Sequence, residues 1–168
     1  MFAWLLLPVL LSPRLAEPPP VAERTVRVEF QSAESTQMGD GPVQLVSTTR
    51  TLDVMVGPDG RFRGRVAWDK VTITVKGKLT LQPDGRVLID IDAVQSTKTG
   101  DFIPIADGEP DREIENKLSA KTQLEVKLNE TILIGGFEST GTQETSEGIT
   151  HRLSKQRVQL TILNEPTE

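Results

Sequence analysis

At 168 residues the chain is long enough for one domain with a real core. Hydrophobic residues at 36% and charged residues at 26% exclude a disordered chain, and an aromatic content of 4% makes that core mainly aliphatic. A net charge of −5 leaves no electrostatic footprint for nucleic acid, and zero cysteines exclude a disulfide framework, a thiolate nucleophile and a Cys-based zinc site.

The first element is the apolar run Met1 to Leu11 (MFAWLLLPVLL), ended by the Arg- and Pro-containing Ser12 to Pro20. It resembles a signal-peptide core followed by a linker, so residues 1–16 are expected to be a signal peptide, 17–23 a Pro-rich linker and 24–166 a single β domain. A frayed apolar N-terminus or a misassigned start is the alternative. The run falls short of the ~20 residues a spanning helix needs, and no transmembrane helix is predicted further on.

From Arg24 the apolar residues recur at every second position, the signature of half-buried strands. Val26, Val28 and Phe30 share one face of the first strand, and Leu52, Val54 and Val56 one face of the next. Phe62, Val66 and Trp68 follow across a turn. The longest run sets Val71, Ile73, Val75, Leu79 and Leu81 against Thr72, Thr74, Lys76, Lys78 and Thr80, one side dry and one wet. Val87, Ile89, Ile91 and Ala93 continue the pattern, then Leu118, Ala120, Leu124, Val126 and Leu128, and finally Val158, Leu160 and Ile162. The fold class expected is all-β, mostly antiparallel.

Pro58-Asp59-Gly60 and Pro83-Asp84-Gly85 read as hairpin turns: proline presets φ, aspartate bonds its own backbone and glycine accepts positive φ. The two P-D-G-R segments form a faint repeat, which a common hairpin turn used twice explains equally well. Met38 to Pro42, the long stretch Thr97 to Arg112 and the polar Ser139 to Gly148 read as loops. Helical signal is confined to Glu113 to Lys117, which could equally begin a strand.

The search for chemistry finds little. A Ser-His-acid triad needs a histidine, and the only one, His151, reads as a surface residue between Thr150 and Arg152. Asp101, Asp107, Glu109 and Asp111 supply the hard oxygens calcium takes, without the spacing of an EF-hand loop, and read as solvated charge. Asp90 and Asp92 lie on one strand face as a carboxylate pair would, and read as the wet side of a sheet. Gly135-Gly136 lacks the Lys-Ser/Thr of a phosphate loop. No catalytic residue, cofactor site or metal site is predicted, and the chain is expected not to be an enzyme.

The most specific segment is Leu128 to Phe137 (LNETILIGGF): a turn, a short aliphatic strand, then Gly135, Gly136 and the large apolar Phe137. It resembles a signature of the bacterial secretin domain. Upstream, Leu79 to Val94 resembles the family's strand, its turn with Pro83, Asp84 and Gly85, and its next strand. Ile114 to Leu128, with Lys121-Thr122, and the closing Arg157 to Pro166 agree in order, so the resemblance covers Leu79 to Pro166. It implies a homo-oligomeric ring in the outer membrane, built of secretin-like strands, exported to the periplasm or outer membrane, with other copies or secretion components as partners. Three departures stand beside it: Asn129-Glu130 replaces an Asp-Gly turn, the polar Ser139 to Gly148 replaces the gate region, and the chain has no tyrosine for aromatic girdles. Gating and membrane association therefore stay open. The alternative is a periplasmic or secreted β-sandwich that binds a partner through its loops. In either case a glycine pair in a strand permits a bend or the close approach of a neighbouring backbone.

Overall fold

In the computed structural model the described residues are 24–103, 112–145 and 148–164; the expected signal peptide and linker lie outside them, as do Asp107, Glu109 and Asp111. The described residues form eight strands: β1 (Thr25–Met38), β2 (Gln44–Met55), β3 (Arg61–Trp68), β4 (Val71–Leu81), β5 (Val87–Ile103), β6 (Arg112–Val126), β7 (Thr131–Thr145) and β8 (Gly148–Leu163). Every ladder is antiparallel, and the strands divide into two four-stranded sheets, β2-β1-β8-β7 (sheet A) and β3-β4-β5-β6 (sheet B). Sheet B is a continuous meander; sheet A is completed by the last strand returning beside the first.

The alternation read from the sequence sets the inner faces. Val26, Val28, Ile73, Val75, Val87, Ile89, Ile91, Val158 and Ile162 are each fully buried and belong to one cluster drawn from both sheets. At about 1.5–3 kcal/mol for each such side chain, this aliphatic layer is the principal term holding the sheets together. All of it lies toward one end of the molecule, here called the base, where β1 begins and β8 ends. The opposite end is the tip.

Two turns at the base carry the chain between the sheets. In the first, Val56 still donates its N–H to Arg24 (2.9 Å), whereas the Gly60 carbonyl accepts from Leu79 of β4 (2.8 Å), so the chain changes sheets within Pro58-Asp59-Gly60. The Asp59 carboxylate accepts the Arg61 N–H (3.1 Å), and Gly60 takes a φ of 77°. Pro83-Asp84-Gly85 repeats this geometry, with Asp84 accepting from Arg86 (3.1 Å) and Gly85 at φ 82°, but it continues directly into the β4–β5 ladder. The second crossing is at Asn129, which holds φ 60°; its N–H donates to Ile162 (2.8 Å), and its side-chain oxygen accepts from Asn164 (3.3 Å). Asparagine is among the few non-glycine residues that tolerate this left-handed conformation.

Two stretches expected to be loops are strand over their described residues. β5 runs on from Thr97 to Ile103 and pairs with β6 through Phe102↔Glu113 and Ile103↔Arg112, with an irregularity after Lys98 where Gly100 takes φ 85°. Likewise β7 and β8 stay paired from Ser139↔Ser154 to Thr145↔Gly148. Both segments are wet on both faces, so the apolar alternation that reveals a strand is missing while the backbone ladder persists. Glu113 to Lys117 lies within β6.

Candidate functional site

Sheet A outruns its core. Inward-facing residues of β1 change from Val26, Val28 and Phe30 near the base to Ser32, Glu34 and Thr36 beyond, and those of β8 from Val158 back to Gln156, Ser154 and Arg152. The outer face of this tip half is also polar, with Leu45, Leu153 and Ile149 as isolated apolar positions among serine, threonine and glutamine. A row of charge, Lys155 paired with Glu138 at 2.9 Å, crosses it. No helix among the described residues is long and apolar enough to cross a membrane, which says nothing of strands.

The two borders of sheet A are β2 and β7, each ladder-paired on one side only. Their tip halves are open: Gln44 to Ser47 and Gly136 to Glu144 are exposed. A free strand edge templates pairing with another chain unless Lys, Pro or a bulge blocks it. Gln44 to Thr51 (QLVSTTRT) and Gly136 to Thr145 (GFESTGTQET) contain neither lysine nor proline. Because successive neighbours in the order β2-β1-β8-β7 are antiparallel, the two borders run in opposite directions.

Gly135 and Gly136 sit where β7 passes the neighbouring sheet. The β7–β8 register shifts between Leu133 and Gly135, leaving Ile134 as the extra residue of a bulge. A side chain on Gly135 would place Cβ 2.9 Å from Cβ of Ala120 on β6; one on Gly136 would meet the Gln156 carbonyl oxygen of β8. The pair thus lets β7 bend while two backbones close on it. Phe137 follows on the inward face opposite Gln156, 48% exposed, at the mouth of a cleft between the sheets.

That cleft, of about 490 Å³, is lined on one wall by Ser32, Arg50, Phe137 and Gln156 and on the other by Gln95, Thr97, Asn116 and Leu118. Gln95 lies in the inward register of β5, 8% exposed, and its Oε1 has no hydrogen-bond partner among the described residues. Nothing in the β5 alternation past Ala93 marked this residue, because a polar side chain at an inward position reads as the end of a buried face.

The remaining candidates are scattered. His151 is exposed on the outer face of sheet A, its Nδ1 3.3 Å from Thr142 Oγ1. Asp90 and Asp92 do share a face, the outer one of sheet B, where Asp92 pairs with Lys76 at 3.3 Å. They belong to a shallow groove of about 540 Å³ dominated by cations, Arg61, Arg63, Lys76, Lys78 and Lys121. Asp101 is exposed, and among the described residues no group of metal-ligating side chains gathers.

No family model matches the chain, and no curated protein matches it. Its strand arrangement is similar to that of solved secretins. The InvG secretin-domain β-barrel of the Salmonella SPI-1 injectisome superposes with a TM-score of 0.44 at 10% identity, covering 88% of this chain and 63% of that one. The type II secretion system secretin XcpQ of Pseudomonas aeruginosa gives 0.45 at 10%, covering 84% and 57%. Aeromonas hydrophila ExeD gives 0.46 at 12%, covering 83% and 47%. This chain therefore spans about half to under two-thirds of those proteins, and the likeness is one of all-β strand arrangement alone.

Proposed function

We propose that the chain is a non-enzymatic exported β protein that assembles head to tail with copies of itself into a secretin-like ring, the tip half of sheet A forming the wall. The observation that carries this reading is the pair of open tip-half borders of β2 and β7, the latter beyond its bulge, running in opposite directions. With an even number of strands per copy, β7 of one copy meets β2 of the next in the antiparallel sense, so every copy joins with the same polarity and the sheet can close. Each backbone group left open on the borders then gains a partner, as barrel closure requires. The resemblance of Leu128 to Phe137 and of the strands around it to the secretin signature supports the same reading. A wall polar on both faces suits a water-filled ring better than a lipid-facing one.

The test uses the absence of native cysteine. Single cysteines on β2 (Ser47→Cys or Thr49→Cys) are combined with single cysteines on β7 (Thr140→Cys or Thr142→Cys) and treated with a short bismaleimide, and native mass is measured by light scattering with and without mild detergent. A ladder of multimers from double variants but not from single ones, with a large discrete mass, is the expected result. A monomer in both buffers with no ladder overturns the ring and leaves the sandwich-type binding module, for which the Gln95 cleft is the natural ligand site.

A further inference from the structure

Where the aliphatic core ends toward the tip, one polar side chain stays buried. Gln95 stands directly opposite Ile73 of β4 and Leu118 of β6, with Ala93 the inward residue before it on β5. Ile73 and Ala93 have no exposed surface, and Gln95 itself is 8% exposed. Its Oε1 therefore lies at the rim of an apolar layer, on the wall of the 490 Å³ cleft, without a hydrogen-bond partner among the described residues. Buried acceptors are almost always satisfied, and an apolar residue of similar volume would serve the core at least as well. An amide at this place therefore marks a site built for a donor.

The rest of the cleft says what kind of donor. From the opposite wall comes Arg50, half-buried, inward and directly opposite Phe30 on the β1–β2 ladder, with no ion-pair partner among the described residues. The other cation of the lining, Lys117, is paired with Glu115 at 3.6 Å. Among the described residues no carboxylate lines the cleft, and Glu34, the inward residue of β1 after Ser32, is exposed toward the tip. An ammonium ligand would meet uncompensated like charge here, whereas a carboxylate finds a guanidinium whose planar fork matches it. One free guanidinium balances one negative charge. Ser32, Asn116 and Gln156 carry groups that both donate and accept, which is what a hydroxyl also does. Phe137, 48% exposed at the mouth, offers a flat apolar surface. A sugar ring combines these demands, with hydroxyls around its rim and C–H groups on its faces, and the cleft volume falls within the range of about 300–1,000 Å³ typical of small-molecule sites.

From this we infer that the cleft between the sheets is a binding site for a sugar acid, its carboxylate on Arg50, a ring hydroxyl donating to Gln95 Oε1 and a C–H face against Phe137. Side chains stand off the faces of a sheet, whereas ring closure uses backbone groups in its plane, so the site does not depend on the ring.

The test is ligand-observed saturation-transfer NMR on the full chain, which works for a single copy and for a large assembly alike. The probes are glucuronate, galacturonate, mannuronate and N-acetylneuraminate, with glucose, galactose and mannose as neutral counterparts of the first three. The expected result is saturable binding of at least one acid, with each neutral sugar weaker by roughly 10-fold or more, the loss of one charge-assisted hydrogen bond. Arg50→Met abolishes that preference by weakening the acid alone, which a merely structural role would not do. Gln95→Met weakens acid and neutral sugar together while the chain stays folded by circular dichroism; should that variant not fold, Arg50→Met reads the site from the other wall. No binding by any of the four acids, neutral sugars binding as tightly as the acids, or binding indifferent to Arg50→Met overturns the inference. The multimer ladder from the β2 and β7 cysteines is scored without sugar, so its presence or absence judges the ring separately.

Discussion

Replacing Gly135 with alanine places a methyl group 2.9 Å from Cβ of Ala120, closer than side-chain carbons pack. Ala120 is 5% exposed, so neither strand can yield toward solvent without disturbing the core. Overpacking of this kind costs about 1–3 kcal/mol. Taking about 2 kcal/mol and a urea slope of about 2 kcal/mol/M for a chain of this size, the unfolding midpoint falls by about 1 M. Ala120→Gly alone loses a buried methyl and adds backbone freedom, about 1.5 kcal/mol together. If close approach is the reason for the glycine, the double variant Gly135→Ala/Ala120→Gly is no less stable than Ala120→Gly alone, a coupling of about 2 kcal/mol. Urea unfolding followed by far-ultraviolet circular dichroism at high salt measures all four corners. Additive losses, to within about 0.5 kcal/mol, refute the packing argument and leave only the backbone bend as the role of Gly135.

Further outcomes follow from neighbouring features. Gly136→Ala destabilises without any side-chain rescue, because its methyl meets the backbone carbonyl of Gln156; a single-partner truncation that restores its midpoint argues against this. Gly60→Ala lowers the melting temperature more than Gly85→Ala: both strain a positive φ, by about 1–2 kcal/mol, but only Gly60 faces the Leu79 carbonyl, while the space around Gly85 is open. Gln95→Met, close in volume, leaves stability unchanged or raises it by about 1–2 kcal/mol, since it removes a buried acceptor without a partner; a loss of that size in a thermal scan means that Oε1 is satisfied in solution. The hydrogen bond from Lys98, at 2.9 Å, holds the Glu113 carboxyl below its ordinary range, with the Lys98 charge, Gly100 N–H and Lys70 adding to it against desolvation. Its contribution is therefore complete above the unfolded carboxyl pKa and is lost as pH falls through the depressed folded value. The acid limb of the stability profile is expected to be shallower in Glu113→Gln than in the parent.

Much of this molecule was written in its alternation. Where one face of a strand is buried and the other wet, as in Val71 to Leu81 or Val87 to Ala93, the period of two identifies both the strand and its inward side, and the core residues follow. The P-D-G turns were equally legible, since proline, aspartate and glycine act through local backbone geometry. Tertiary structure alone decided the rest. The two turns are alike in sequence, but Gly60 hands its carbonyl to Leu79 and changes sheets, while Gly85 continues a hairpin; the difference lies in what stands opposite, not in the turn. Thr97 to Ile103 and Ser139 to Thr145 read as loops because a strand uncovered on both faces has no apolar period to betray it, although the ladder resumes past the irregularity after Lys98 in the first and is unbroken in the second. The glycine pair announced a close approach, but Ala120 and Gln156 as the approaching groups, the inward placement of Gln95 and the line-up of Arg61 and Arg63 with Lys78 and Lys76 depend on strand register. Register is a contact between segments distant in sequence, and no local pattern carries it.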